Sequence, residues 1–322
     1  MRPGLAKAFR DQAAACERNG SPLYGRVCRE LAEEPLVDEV VLEVGWSTPL
    51  RVLAALHYLA LSEGIDPWSD VGAVLAARRD WLARFVAEHA VQTNEVQRSW
   101  ALLPAFLTLA DARPLDLVEL GPSAGLNLLW DRHRYRYAAG SWGDSRAPLE
   151  LAGIERGAVP GSLLARHVEV RRRRGVDVDP IDVREEDAAL LLQSYVWADQ
   201  HERLERLRRA LEVARRDPPE LVRGDFVQVL PDLLANRESG ALTIVFQTAA
   251  TGYLTSEQYD ELRRILEAAA GEEPFGWIST RRLSERESER DDGYELELGL
   301  LPARPRLLAY MGFHGQWLEW VG

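Results

Sequence analysis

The residues best suited to chemistry stand in the run LDLVELGPSAGLNLLWDR, residues 115–132, where an apolar segment ends in Glu119 and a turn of small residues follows. Glycines at Gly121 and Gly125 let the backbone take positive φ or approach a ligand closely, which a Cβ would hinder. Ser123 and Ala124 are the next smallest choices. A helix is expected over Gly125 to Arg132, and the free amides at its start favour a negative or strongly accepting ligand group. Three nucleotide-binding turns share this general form, and spacing separates them. A phosphate-cradling P-loop ends in Gly-Lys-Ser/Thr, whereas Leu126 and Asn127 follow Gly125. A dinucleotide fingerprint requires G-x-G-x-x-G, and Pro122, Ser123 and Ala124 between the glycines break that register. The pattern acidic-x-Gly-x-x-x-Gly remains.

That pattern resembles the first motif of S-adenosylmethionine-dependent methyltransferases, in which a strand ends with a carboxylate and small residues wrap the methionine moiety. The resemblance implies S-adenosylmethionine as cofactor, with Glu119, Gly121, Ser123, Gly125 and Asn127 around it. Ser123 stands where a glycine is common, and Pro122 stiffens the turn. In GVDVDP, Asp177 ends an apolar strand where this fold places a carboxylate for the ribose hydroxyls, with Asp179 as the alternative. In VRGDFVQVLPDLL, Asp225 resembles the position that meets the adenine amino group, with Phe226 able to cover the ring. The plainer reading of each acidic residue is a turn or helix cap. A ribose carboxylate is expected about 20 residues beyond the first loop, so Tyr135 to Arg166 is read as an insertion. Its Tyr135, Tyr137 and Trp142 suit a folded lid that excludes water better than a loose linker.

Methyl transfer needs positioning and, for some acceptors, a base that removes a proton. Gln247, Thr248 and Tyr253 follow the strand Leu242 to Gln247, where the resemblance points side chains at the transferred methyl group. The segment QTAATGY lacks the Asn/Asp-Pro-Pro-aromatic run common among amine methyltransferases, which favours an oxygen or carbon acceptor. Asn94 and Glu95 form a polar pair at a helix start, read either as a substrate contact and a catalytic carboxylate or as a cap and a dipole partner. Trp197, Asp199 and Gln200 are expected to open an amphipathic helix with Leu204, Leu207, Leu211 and Ala214 on its core face, and to meet the lid or substrate. The six histidines show no H-x-x-x-H or H-E-x-x-H spacing, so no metal site is expected. No G-x-S-x-G elbow supports hydrolysis. The competing reading is a nucleoside-binding protein without turnover on the same scaffold.

The elements that must position these residues follow from periodicity. Residues 1–111 read as a helical N-terminal subdomain, its last helix starting near Asn94 under a Thr93 or Asn94 cap. Residues 112–322 read as α/β, a Rossmann-like methyltransferase-type sheet that is mostly parallel with a C-terminal antiparallel hairpin. Its strands are expected at Leu115 to Leu120, Val168 to Val178, Leu221 to Gly224, Leu242 to Gln247 and Phe275 to Ser279. One helix is expected over Glu186 to Arg216 and another behind a Thr255/Gln258 capping box. The hairpin is expected from Tyr294 to Leu301, Leu307 to Phe313 and Gln316 to Val321. Arg171 to Arg174 and the charged stretch Glu285 to Asp292 read as solvated surface.

With 51 acidic against 39 basic side chains, the net charge of -12 disfavours nucleic acid and anionic lipid and favours a small-molecule substrate. Cys16 and Cys28 make neither a disulfide framework nor a metal site, which fits a reducing cytoplasm. No run approaches the roughly 20 apolar residues of a membrane span, and charged residues interrupt the N-terminus where a secretory peptide would be apolar. A cytoplasmic location is expected. Finally, Thr93-Asn94-Glu95, GPSAGLNLLWDR, GVDVDP, Val196 to Gln200 and Glu202-Arg203 together resemble the bacterial domain of unknown function 2332 family over nearly the full length. That family name carries no reaction, substrate or catalytic residue.

Overall fold

The runs LDLVEL and LTIVFQ are buried at all six positions, as strands covered on both faces must be. In the computed structural model, which describes residues 2–283 and 293–322, they are β1 (Leu115–Leu120) and β8 (Leu242–Gln247) of a nine-stranded sheet. The remaining strands are β2 (Arg134–Tyr137), β3 (Gly140–Trp142), β4 (Glu150–Ala152), β5 (Ile154–Gly157), β6 (Val170–Asp177), β7 (Glu220–Arg223), β9 (Phe275–Arg282), β10 (Gly293–Leu301), β11 (Arg306–Gly312) and β12 (Trp317–Trp320). The large sheet runs β5-β12-β11-β10-β9-β8-β1-β6-β7. Its centre, β9-β8-β1-β6-β7, is parallel throughout, while β9 to β12 form an antiparallel meander. The alternation of Tyr294 to Leu301 against charged residues thus does mark an antiparallel terminal segment. The stretch Glu285 to Asp292 lies outside the described residues.

The helices are α1 (Pro3–Arg18), α2 (Pro22–Glu33), α3 (Val37–Val40), α4 (Thr48–Glu63), α5 (Val71–Glu88), α6 (Arg98–Leu109), α7 (Gly161–Leu164), α8 (Glu186–Ser194), α9 (His201–Arg216), α10 (Phe226–Ala235) and α11 (Ser256–Glu272). Thr255 and Gln258 close the capping box of α11 as expected. The chain divides into a helical unit, Met1–Thr93 with Asp182–Arg208, and a sheet unit, Asn94–Ile181 with Arg209–Gly322. This corrects the expected boundary after residue 111. Helix α6 is apolar on nearly every side and packs on β9 and β10, so it belongs with the sheet. Conversely, α8 packs on α4, and Leu191, Tyr195, Trp197 and Ala198 line the core of the helical unit.

Two further expectations change. The helix expected over Glu186 to Arg216 is two helices, broken at residues 195–200. The segment after the glycine turn is a three-ten helix, Leu126–Arg132, rather than an α-helix. Its carbonyls are taken at short range, Gly125 O by Leu128 N at 3.1 Å and Trp130 O by His133 N at 3.3 Å. Tyr135 Oη also donates to Trp130 O at 2.6 Å, which ends the turn where β2 begins. Such a short three-ten piece lacks the aligned amides of a helix N-terminus, so the expected anion preference has no structural basis here.

Residues 135–166 fold as expected rather than hanging loose. Strands β3, β2 and β4 make a small sheet, and β5 continues from it to the edge of the large one. Trp100 Nε1 donates to Arg136 O at 3.0 Å, Tyr137 Oη donates to Trp100 O, and Trp142 Nε1 donates to Arg166 O at 2.9 Å. The insertion is therefore fastened to α6 through Tyr137 and the α6 residue Trp100, while Trp142 ties it to its own end.

The reading of Arg171 to Arg174 as solvated surface fails at its end. Arg174 is fully buried on β6, beside Asp116 of β1 at 2.6 Å, and donates to Leu233 O and Asn236 O. A parallel central strand has no solvated face, so a charge there must be paired. Asp116→Ala would leave the guanidinium buried without its counter-charge. Urea denaturation is expected to show a loss of about 3–5 kcal/mol, and a loss below about 1 kcal/mol would mean that the pair is solvated as a surface pair is.

Candidate functional site

The five parallel strands reverse their order between β1 and β8. In open α/β sheets a crevice forms at such a reversal, outside the carboxyl ends of the strands. Glu119 and Gln247 lie at those ends, with Leu120 paired to Gln247. The two loops leaving β1 and β8 hold Ser123 at φ +53° and Ala249 at φ +67°, the only non-glycine residues with positive φ among those described. Strain of this kind is stored where surrounding structure holds a functional geometry.

The glycine turn is built mostly by side chains that clamp its backbone. Asn94 Nδ2 donates to Pro122 O at 2.5 Å, and Asn94 Oδ1 accepts from Leu126 N at 3.2 Å. Asn94 therefore spans the turn instead of capping α6, whose N-cap residue is Gln97. Gly121 N donates to Val176 O, and Gly125 N donates to Pro122 O. Both glycines have positive φ, but the space beside them is filled by protein. A Cβ on Gly121 would stand 2.7 Å from Ala250 Cβ, and one on Gly125 would stand 2.6 Å from Pro219 Cγ. Close approach of the chain to itself, rather than to a ligand, is what these glycines permit.

Asp177 ends β6 with both carboxylate oxygens on backbone amides, Ser123 N at 2.8 Å and Asp179 N at 2.9 Å. It thereby joins the ends of β1 and β6, and each oxygen keeps acceptor capacity. Asp179 pairs with Arg223 at 2.7 Å. Asp225 caps α10 by accepting from Val227 N at 2.8 Å, and Phe226 packs in the apolar core with Val118, Leu120, Val176 and Leu230. The cap and core readings thus describe Asp225 and Phe226 in this structure, because a strand-to-helix turn needs an acceptor for its orphan amides.

Glu119 is 1 % exposed, and its Oε2 has no hydrogen-bond partner. Burial pushes its carboxyl up to about 8, opposed by the charge of Arg98, reinforced by that of Asp177 and opposed again by the Asn127 amide. Asn127 is itself buried and accepts from Ser99 Oγ at 2.8 Å. Ser123 Oγ is a second buried polar atom without a partner on the same loop. Such orphans are uncommon in folded proteins and each calls for an explanation.

Arg98, which the sequence reading passed over, links this acid to the loop after β8. It donates from Nε to Phe313 O at 2.8 Å and from Nη1 to Thr248 Oγ1 at 3.4 Å. The polar run Gln97-Arg98-Ser99 ahead of an apolar helix was the available signal. Gln247 is buried and committed to β9 and its own loop, donating to Thr280 O at 2.9 Å and accepting from Thr251 N at 3.4 Å. It shapes the end of β8. Tyr253 is exposed at 68 %, with Tyr294 and Arg98 as neighbours of its hydroxyl. Glu95 is buried, accepts from Gln97 N at 3.2 Å and lies 4.0 Å from His314 Nδ1, a residue also passed over.

Trp197, Asp199 and Gln200 do other work. Asp199 accepts from Ser21 Oγ at 2.6 Å and Leu23 N at 3.1 Å, Gln200 Nε2 donates to Asn19 O at 3.1 Å, and Trp197 stacks on Tyr24. All three hold the α1–α2 turn within the helical unit, because residues 195–200 break the helix they were expected to open. Among the described residues, no three His, Cys, Asp or Glu side chains converge as a metal site, and no helix is long and apolar enough to cross a membrane.

Glu119 gives the fold a pH dependence with a definite sign. Its folded value of about 8 exceeds the ordinary 4.5, so the folded chain holds an extra proton between those values. The stability this contributes is full below the lower value and falls as pH rises towards the upper one. Glu119→Gln has no such proton, so between about pH 5 and about pH 8 its urea stability is expected to improve steadily relative to wild type. A constant difference across that range would show that Glu119 ionises as a solvated carboxylate does.

No curated protein and no solved structure matches the chain. Residues 6–320 match DUF2332, described as an uncharacterised protein conserved in bacteria. The motifs around the glycine turn, β6 and residues 196–203 all fall within that span, and the chain belongs to the DUF2332 family.

Proposed function

We propose that this chain is a cytoplasmic S-adenosylmethionine-dependent methyltransferase with a Rossmann-like sheet, acting on a small molecule at oxygen or carbon. The observation that carries the reading is the sequence of acids at the carboxyl ends of three adjacent parallel strands: Glu119 on β1, Asp177 on β6 and Asp225 after β7. Their order is the one that a methionine, ribose and adenine site requires, and it starts with Glu119 at the strand-order reversal where ligands bind in such sheets. The donor set also fits. Glu119 Oε2 and Ser123 Oγ are buried without partners, and the amide-bonded Asp177 retains acceptor capacity for ribose hydroxyls.

Glu119, Ser123 and Asp177 would hold the cofactor, with Asp225 at its far end. When bound, S-adenosylmethionine supplies an electrophilic methyl group. Arg98 orients the site by joining the Phe313 carbonyl to the Thr248 hydroxyl, and Gln247 fixes the end of β8 against β9. Glu95, buried near His314, would take up a proton from an acceptor through the imidazole.

Titration calorimetry with S-adenosylhomocysteine tests this directly. Saturating ligand is expected to raise the melting temperature, since 100-fold excess over Kd adds about 2.7 kcal/mol. Asp177→Asn is expected to weaken binding by tenfold or more. Binding without methyl loss over a broad panel of acceptors would favour the non-catalytic nucleoside-binding reading. No binding of either adenosyl compound, or a preference for a dinucleotide, would overturn the proposal.

A further inference from the structure

Resting on that reading, we propose that the Glu119 carboxyl is the group that recognises positive charge in the ligand, and that it releases a proton to solvent when a cationic ligand seats beside it. Two buried side chains carry the argument. Glu119 Oε2 at the end of β1 and Ser123 Oγ on the clamped turn that follows lack partners, are four residues apart in the chain, and lie at the switch between β1 and β8. A ligand is a ready explanation for two orphans in one place.

The charged groups facing Glu119 are few. Arg98 of α6 acts on it from one side and Asp177 of β6 from another, with the Asn127 amide of the three-ten segment as the nearest neutral donor. Arg98 has fixed commitments to Phe313 and Thr248 and reduces the effect of burial without cancelling it. The carboxyl is therefore neutral near pH 7. An ammonium or sulfonium entering the site favours the ionised form, since an opposite charge within a few ångströms lowers a carboxyl pKa. The O–H bond of Glu119 then breaks, the proton passes to buffer, and the carboxylate stays as counter-ion to the ligand. A neutral nucleoside draws no such release, so the site distinguishes ligands by charge as well as by shape.

The test is calorimetric titration at pH 7 in phosphate and in Tris, whose different ionisation enthalpies report protons released. The probes are S-adenosylmethionine and 5′-methylthioadenosine, which keeps the nucleoside and the methyl-bearing sulfur as a neutral thioether and has no cationic group. With a carboxyl near 8, wild type is expected to release about 0.9 proton more with S-adenosylmethionine than Glu119→Gln does. The neutral probe is expected to show no such difference. The comparison of the two probes on wild type gives the same answer without the variant, should Glu119→Gln fold poorly. Equal proton counts for the two probes, or for wild type and variant, would overturn this inference while leaving nucleoside binding intact. Failure of both probes to bind would overturn the proposed function and this inference with it.

Discussion

The passage from β1 to the three-ten segment is the constraint on which the rest of the site depends. Within five residues the chain leaves a fully buried strand and enters another buried segment, with no solvent to satisfy its backbone. Three residues at positive φ make the reversal, and Asn94 and Asp177 supply the hydrogen bonds that water would otherwise provide. Because Asp177 ends β6 and the loop after β8 touches Gly121, the turn also fixes the spacing of three strand ends. Anything bound at the switch point meets a rigid rim.

Burial of charge is the second theme of the sheet unit, and it has two solutions. Asp116 and Arg174 neutralise one another across β1 and β6, and two carbonyls take up Nη1 of the guanidinium. Glu119, three residues farther along β1, has no such close partner, and the proton is the cheaper compensation. The same strand thus holds an acid paired with a buried cation and, at its carboxyl end, an acid with no cation bonded to it.

The helical unit draws on two separated stretches of chain. Residues 182–208 supply α8 and a loop whose Trp197, Asp199 and Gln200 secure the first helical hairpin. Polar residues that core packing on a helical wheel leaves unexplained are explained once the loop is seen to cap a helix start 176 residues earlier in numbering. Ser21 and Asp199 together serve that start, one from within the chain segment and one from far along it.

Much of the sheet was legible because its signals are local. Unalternating apolar runs mark buried parallel strands, alternation marks the meander, and Thr255 with Gln258 marks α11, so the residues themselves determined those elements. Acid-Gly-small-Gly spacing likewise located the turn and Glu119. What spacing cannot encode is which partner a side chain finds. Asn94 reads as a cap and acts as a clamp, Arg174 reads as surface and lies in the core, and Asp225 also caps α10 while Phe226 packs in the core. The seven residues after Gly125 have helical spacing, yet they form a three-ten turn held at its start by Asn94 and near its end by Tyr135. The balance between the charged and neutral forms of Glu119 is likewise a tertiary decision, set by burial, Arg98, Asp177 and the Asn127 amide.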